Sequence, residues 1–134
     1  MPDTYMLDTD ICGYAIREKP TSVVCAFWKY RDDKICISSV TYAELMYGAI
    51  RSGSAKITAS IERFVNYVGI VDFDDAAGKE YAQIRYALET CGTPLAIADL
   101  LIASCAKAKG AVLVTNNTKH FGRIPNLKIE NWTH

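Results

Sequence analysis

Apolar positions along the chain fall into short unbroken runs separated by stretches in which they recur at helical spacing. Tyr5–Leu7, Ile35–Ser38, Ile70–Phe73 and Val112–Thr115 are the short runs, each bounded by polar residues, as expected of strands buried on both faces. A further short strand is expected within Leu127–Glu130. A helix from about Asp10 sets Ile11, Tyr14 and Ala15 on one face, and Pro20 opens a second helix through Val23, Val24, Phe27 and Trp28. Thr41 to Arg51 reads as a helix closed by Ser52-Gly53. Ser54 to Val68 reads as another, with Ile57, Ile61, Phe64, Val65 and Val68 in step. Asp74 or Asp75 caps a long helix that reaches Cys91 and stops at Gly92. Thr93-Pro94 starts the next, which runs to Lys109-Gly110.

Strands that alternate with helices imply a parallel sheet covered on both faces. In such sheets ligands bind beyond the carboxyl ends of the strands, so chemistry is sought there. The length of 134 residues fits one domain, with no internal repeat or linker to divide it.

Composition narrows the function classes. Half the residues are hydrophobic, and 15 Lys and Arg balance 15 Asp and Glu. A strongly basic coat for nucleic acid is excluded, so contact with nucleic acid must come from local charge or bound cations. The first residues lack a signal-peptide pattern, and no apolar run is long enough to cross a membrane. The five cysteines at 12, 25, 36, 91 and 105 show no CxxC or zinc-like spacing. Together these features give the expectation of a reduced, cytoplasmic protein.

Within this background three acids stand alone. Asp8 follows the first strand, and only Asp10 shares its charge-free surroundings from Thr4 to Ile16. Glu44 is the one charge between Ile35 and Ile50, and Asp99 the one charge between Thr90 and Ala106. A buried carboxylate without a partner is costly, and no Lys or Arg lies nearby in sequence. Converging acids also repel, which forces some of them toward protonation. A divalent cation relieves both problems, and carboxylate oxygens are the ligands that Mg²⁺ or Mn²⁺ prefers. The competing reading, in which each acid is a helix cap or edge residue, serves for one acid better than for three.

After the fourth strand comes the uncharged cluster Thr115-Asn116-Asn117-Thr118, either an Asx turn and helix cap or a further contributor to the same site. No Gly-rich phosphate loop and no GxSxG elbow is present. His120 reads as a polar residue of a short helix, and His134 is the last residue. Two basic segments, Lys29/Arg31/Lys34 and Lys119/His120/Arg123, are either solvated faces or phosphate grips. The second follows Asn117 closely and is the better candidate.

These stretches resemble the PIN domain, and within it the VapC toxin ribonucleases of bacterial toxin–antitoxin pairs. The resemblance runs through Tyr-Met-Leu-Asp-Thr-Asp at 5–10, Ile-Ser-Ser-Val-Thr-Tyr-Ala-Glu-Leu at 37–45 with Gly48, and Gln83-Ile84-Arg85. It continues in Gly92-Thr93-Pro94, Asp99 with Ile102-Ala103, and Leu113-Val114-Thr115-Asn116-Asn117. It closes on Phe121, Ile124-Pro125 and Ile129-Glu130-Asn131-Trp132. It implies a three-layer α/β/α sandwich with a central parallel sheet of four to five strands. It implies Asp8, Glu44 and Asp99 as metal-binding and catalytic acids, Asn117 as the fourth catalytic position, and Mg²⁺ or Mn²⁺ as cofactor. Thr115, Asn116, Lys119 and Arg123 follow as candidate substrate contacts. A homodimer, a VapB-like antitoxin and an RNA substrate are implied as partners, with initiator tRNA cut in its anticodon loop as the substrate of similar enteric enzymes. Two departures stand out: Asp10 replaces the usual Asn of the first motif, and Ala96-Ile97-Ala98 stands where relatives often turn, which suggests an earlier helix start.

Two other readings use the same residues. One is a PIN-type nuclease for housekeeping RNA processing or for DNA. The short chain, without appended nucleic-acid-binding modules, argues against it. The other is a catalytically silent module that only holds its partner and operator DNA, and the intact trio of acids argues against that.

Overall fold

The computed structural model describes residues 3–134. Its strands are β1 (Thr4–Leu7), β2 (Lys34–Ser38), β3 (Ile70–Val71), β4 (Val112–Val114) and β5 (Ile129–Glu130). Its helices are α1 (Thr9–Arg17), α2 (Thr21–Lys29), α3 (Ser39–Ser52), α4 (Ala55–Val68), α5 (Asp75–Thr90), α6 (Ile97–Ala108) and α7 (Thr118–Phe121). The strands form one parallel sheet in the order β3-β2-β1-β4-β5. Successive strands build outward from β1 in one direction, then restart at β4 on its other side. The crevice between β1 and β4 is therefore the switch point at which open α/β sheets bind ligands.

Alternation along β1 divides the core. Tyr5 and Leu7 point to one face with Ile35, Ile37, Val112 and Val114, where α1, α2 and α4 cover them through Ile11, Val23, Ile61 and Val65. Met6, Cys36 and Leu113 point to the other face, against Ile84 and Leu88 of α5 and Leu100, Ala103 and Ala106 of α6. The sheet is thus sandwiched between helices, as the strand–helix alternation requires.

Most expected elements are present, with instructive shifts. β3 ends at Val71 rather than Phe73. The Phe73 amide turns instead to the Ser39 hydroxyl, which accepts it at 3.0 Å. α6 begins at Ile97, not at Thr93-Pro94 and not early. Gly92 sits at φ 72° and the Thr93 amide bonds back to the Leu88 carbonyl at 2.9 Å, so this segment belongs to the exit from α5. Pro94 is then a stop just past a helix end rather than a first helical residue. Cys12, Cys36 and Cys105 are buried as expected of small apolar side chains, but Cys25 and Cys91 are exposed.

Candidate active site

Each expected acid is placed by a helix start at the carboxyl edge of the sheet. Asp8 directly follows β1, its amide donating to the Val114 carbonyl of β4 at 3.0 Å. It is the N-cap of α1, and its carboxylate accepts the Ile11 amide at 2.9 Å. Ser38 ends β2 and caps α3 by accepting the Thr41 amide at 3.1 Å, which carries Glu44 one turn into that helix. Asp99 lies in the first turn of α6.

Helix N-termini favour negative charge, yet here other forces win. Asp8 is 7% exposed, and burial pushes its carboxyl up to about 6, with repulsion from Asp10 and Asp99 added. Hydrogen bonds from the Thr115 side chain and the Ile11 amide offset only part of this. Asp99 is also raised, first by partial burial, then by Glu44 and Asp10, and only His120 opposes the shift. Asp8 thus feels Asp99, and Asp99 feels Glu44, across the crevice, and among the described residues no Lys or Arg forms an ion pair with Asp8 or Asp99.

The structure corrects two parts of the expectation. Glu44 is exposed, so the argument from costly burial holds for Asp8 and partly for Asp99, but not for Glu44. Among the described residues no three His, Cys, Asp or Glu side chains stand close enough together to enclose one ion. Glu44 leans instead on α1, accepting a short hydrogen bond from the Thr9 hydroxyl at 2.5 Å. Thr9 therefore belongs beside the acids, a role that its position between Asp8 and Asp10 could have signalled.

Asn117 sits at the N-cap position of α7, but its side chain makes no capping bond. Its backbone amide is held by the Thr115 hydroxyl at 2.9 Å, and its Nδ2 meets Nδ1 of His120 at 2.8 Å. The Asn117 side chain therefore does not serve as a cap, and His120 lies in the short helix α7 as expected, close enough to the acid edge to act on Asp99. Asn116 differs: its Oδ1 accepts from Asn131 Nδ2 at 3.3 Å and from the Thr133 hydroxyl at 3.1 Å, so it ties down the C-terminal tail. Lys119 and Arg123 are exposed on and just after α7, with no ion pair among the described residues.

Carboxylate oxygens of Asp8 and Asp99, in a crevice without a basic ion-pair partner among the described residues, are donors of the kind a hard divalent ion takes, with water completing its shell. The PIN-domain family profile matches residues 5–127. The chain is 42% identical over 130 residues to the tRNA(fMet)-specific endonuclease VapC of Shigella flexneri, covering 96% of this chain and 98% of that protein. It is 43% identical to ribonuclease VapC2 of Rickettsia felis, covering 96% and 97%. The crystal structure of VapBC2 from Rickettsia felis bound to a DNA fragment from its promoter superposes with a TM-score of 0.88 at 41% identity, covering 96% of this chain and 98% of that one. PIN-domain nucleases generally depend on a divalent metal. With the sheet order, the acid edge and these full-length likenesses in agreement, the chain belongs to the PIN-domain family and, within it, to the VapC toxin ribonucleases.

Proposed function

We propose that this chain, acting as a single ribonuclease domain, is a Mg²⁺- or Mn²⁺-dependent endoribonuclease toxin of the cytoplasm that cuts tRNA and is restrained by a VapB-like antitoxin. The observation that carries this reading is the unneutralised pair Asp8 and Asp99, each at a helix start and each pushed toward protonation. A cation supplied from outside the chain would relieve that repulsion and keep both carboxylates ionised.

Asp8 and Asp99 would hold the cation directly. Glu44 and Asn117 would reach it through water, since Mg²⁺ keeps several of its waters and the acids are spread too widely for a closed cage. When bound, such an ion polarises a phosphodiester and lowers the pKa of the attacking water. The protein's own part is positional. Thr9 steers Glu44, Thr115 holds both Asp8 and the Asn117 backbone, and His120 fixes the Asn117 amide. Lys119 and Arg123 stand ready to grip phosphates on the α7 side.

The tRNA target follows from the Shigella relative, whose name specifies tRNA(fMet). An anticodon loop offers splayed bases and an accessible phosphate, which suits an acid edge at the end of a crevice. An antitoxin would find two supports. One is the acid pocket, where a basic side chain could pair with the carboxylates. The other is an apolar cavity of about 290 Å³ between α1, α2 and α4, where Trp28 and Tyr67 are exposed. Tyr47 and Ile50 of α3 and Tyr86 of α5 are exposed as well, apolar surface that a homodimer would cover.

The test is sequencing of RNA ends after brief expression, paired with cleavage of purified tRNA in Mn²⁺ and in EDTA. Cuts in the initiator tRNA anticodon loop that EDTA abolishes are expected. Cuts scattered over messenger RNA with tRNA intact would overturn the substrate, and cleavage that survives EDTA would overturn the metal.

A further inference from the structure

A groove of about 940 Å³ runs between α1, α3 and α4, and its two ends differ in charge. Thr9, Asp10 and Glu44 line it where it meets the acid edge. α1 and α3 both start at that edge and run away from it, so Arg17 and Lys56 line the far end. Thr9 and Arg17 are separated by about 12 Å of helical rise.

Arg17 is held in a definite place. Gly13, one turn earlier on α1, has no side chain, and the guanidinium folds back over it. A Cβ built on Gly13 would stand 3.2 Å from Nη1 of Arg17. The same guanidinium lies 5.5 Å from the centroid of the Tyr14 ring. A basic residue in the last turn of a helix ordinarily serves the terminal carbonyls. Here it is turned back along the helix, toward the acid edge. Among the described residues neither Arg17 nor Lys56 forms an ion pair. Two unspent cations therefore sit in the groove that opens from the candidate catalytic acids.

We propose that this groove seats the RNA strand on one side of the scissile phosphate, with Arg17 and Lys56 each neutralising a backbone phosphate. The inference rests on the ribonuclease reading of the neighbouring acids. A strand whose phosphate is cut at the acid edge must continue past it, and this groove is the concave path that leads away. The two basic residues at its far end suit a polyanion. The apolar cavity on the other side of α1, lined by Phe27, Trp28, Phe64 and Tyr67, is the better seat for protein. On the opposite flank Lys119 and Arg123 would hold the strand as it leaves.

Phosphate contacts weaken binding with salt in a countable way. For a single strand the slope of log K against log salt is about 0.7 per phosphate neutralised. The experiment is fluorescence anisotropy of a labelled anticodon stem-loop and of an unrelated single strand, in EDTA, over a KCl series. Arg17→Gln and Lys56→Gln should each flatten the slope by about 0.7, and the double variant by about twice that, for both RNAs alike. Arg17→Lys should keep the wild-type slope. In cleavage assays the double variant should raise KM and leave kcat nearly unchanged. An unchanged salt slope in the double variant overturns the proposal. So does an unchanged slope together with lost capture of the co-expressed antitoxin, which would assign the groove to protein. RNA binding that follows these slopes without any cleavage by the wild type would instead count against the ribonuclease reading and leave the groove standing.

Discussion

Asp8 and Asp74 do the same local job with opposite electrostatic outcomes. Each is a helix N-cap, Asp8 on α1 and Asp74 on α5, and each accepts the amide three residues on, at 2.9 Å and 3.0 Å. Asp74 lies near the surface with Lys109 at 3.2 Å, and its carboxyl is lowered by the Ala77 amide and by Lys109. Asp8 is buried beside two other acids with no basic partner, and its carboxyl is raised to about 6. The cap bond is present in both, so capping does not explain the difference. What differs is that α5 and α6 carry their own counter-charges, Lys109 for Asp74 and Lys107 for Glu80 at 3.2 Å, while the acid edge leaves its charge to be met from outside. One region is finished by folding. The other, on the reading proposed above, is completed by a bound cation.

The largest expected effect breaks the comparison at its functional end. Asp8→Asn keeps a good cap and Asp99→Asn keeps the side-chain shape, so both remove charge with little else changed. A metal that stabilises transition-state charge is worth several kcal/mol, so each variant should lose on the order of a thousandfold in tRNA cleavage rate in Mn²⁺. Retention of near-normal cleavage by either would remove that acid from the site.

The next effect is on stability and has the opposite sign. Because the folded-state pKa of Asp8 is raised, the folded protein binds its proton more tightly than the unfolded chain does. Stability is then unaffected by this group below 3.8, falls as pH rises from there to about 6, and stays lowered above that. Asp8→Asn should therefore stabilise the metal-free protein at pH 7.5, by on the order of 3 kcal/mol from the size of the shift. The gain should vanish near pH 4. Thermal melts in EDTA at the two pH values measure it, and a melting temperature lowered by Asp8→Asn at pH 7.5 would contradict the burial argument. Added Mn²⁺ should raise the melting temperature of the wild type more than that of the variant.

Asp74→Ala supplies the matched control, with a smaller effect. Its folded-state pKa is lowered, so its stabilisation is present above the unfolded value and is lost as pH falls through the folded one. The variant should melt slightly below the wild type at pH 7.5, converge with it in acid, and cleave RNA at the wild-type rate. A loss of cleavage here would mean that the two caps are not separable as structural and functional.

How far the sequence revealed this division depends on the kind of signal. The charge-free stretches around Asp8, Glu44 and Asp99 are visible in one dimension, because a parallel sheet needs apolar segments at its centre and an acid among them stands out. That the sheet is parallel and covered on both faces follows from the same alternation, whereas the strand order is read only from the fold. The start of α6 is less accessible, since Pro94 fits both a first helical position and a stop after α5. The Gly92 turn decides between them. The exposure of Glu44 and the hold of Thr9 on it depend on how α1 crosses α3, a distance of 35 residues in sequence. Arg17 is the clearest omission. In the chain it reads as an ordinary basic residue at a helix end, and only its seat over Gly13 sets it apart.

The smallest effect concerns Asn117, which lies between the two kinds of region. It stands at a helix start, as Asp8 and Asp74 do, but its side chain makes no cap bond and turns to Nδ1 of His120. An amide offers a neutral oxygen, so it can orient a coordinated water or bind an ion weakly without adding to the repulsion that raises Asp8 and Asp99. Removing a group that supports a metal in this way costs roughly tenfold to a hundredfold in activity or affinity. Asn117→Ala should fall at the low end of that range, well short of Asp99→Asn. Asn117→Asp should keep activity and lower the Mn²⁺ concentration that gives half-maximal rate, because a further negative charge attracts the cation more strongly. It should also lower the melting temperature in EDTA, since that charge joins the uncompensated acids. Cleavage rate against Mn²⁺ concentration for the wild type and both variants measures the first pair of effects, and melts in EDTA the second. Should Asn117→Ala match the wild type across the whole titration, Asn117 belongs with Asn116 among the residues that only shape the loop after β4.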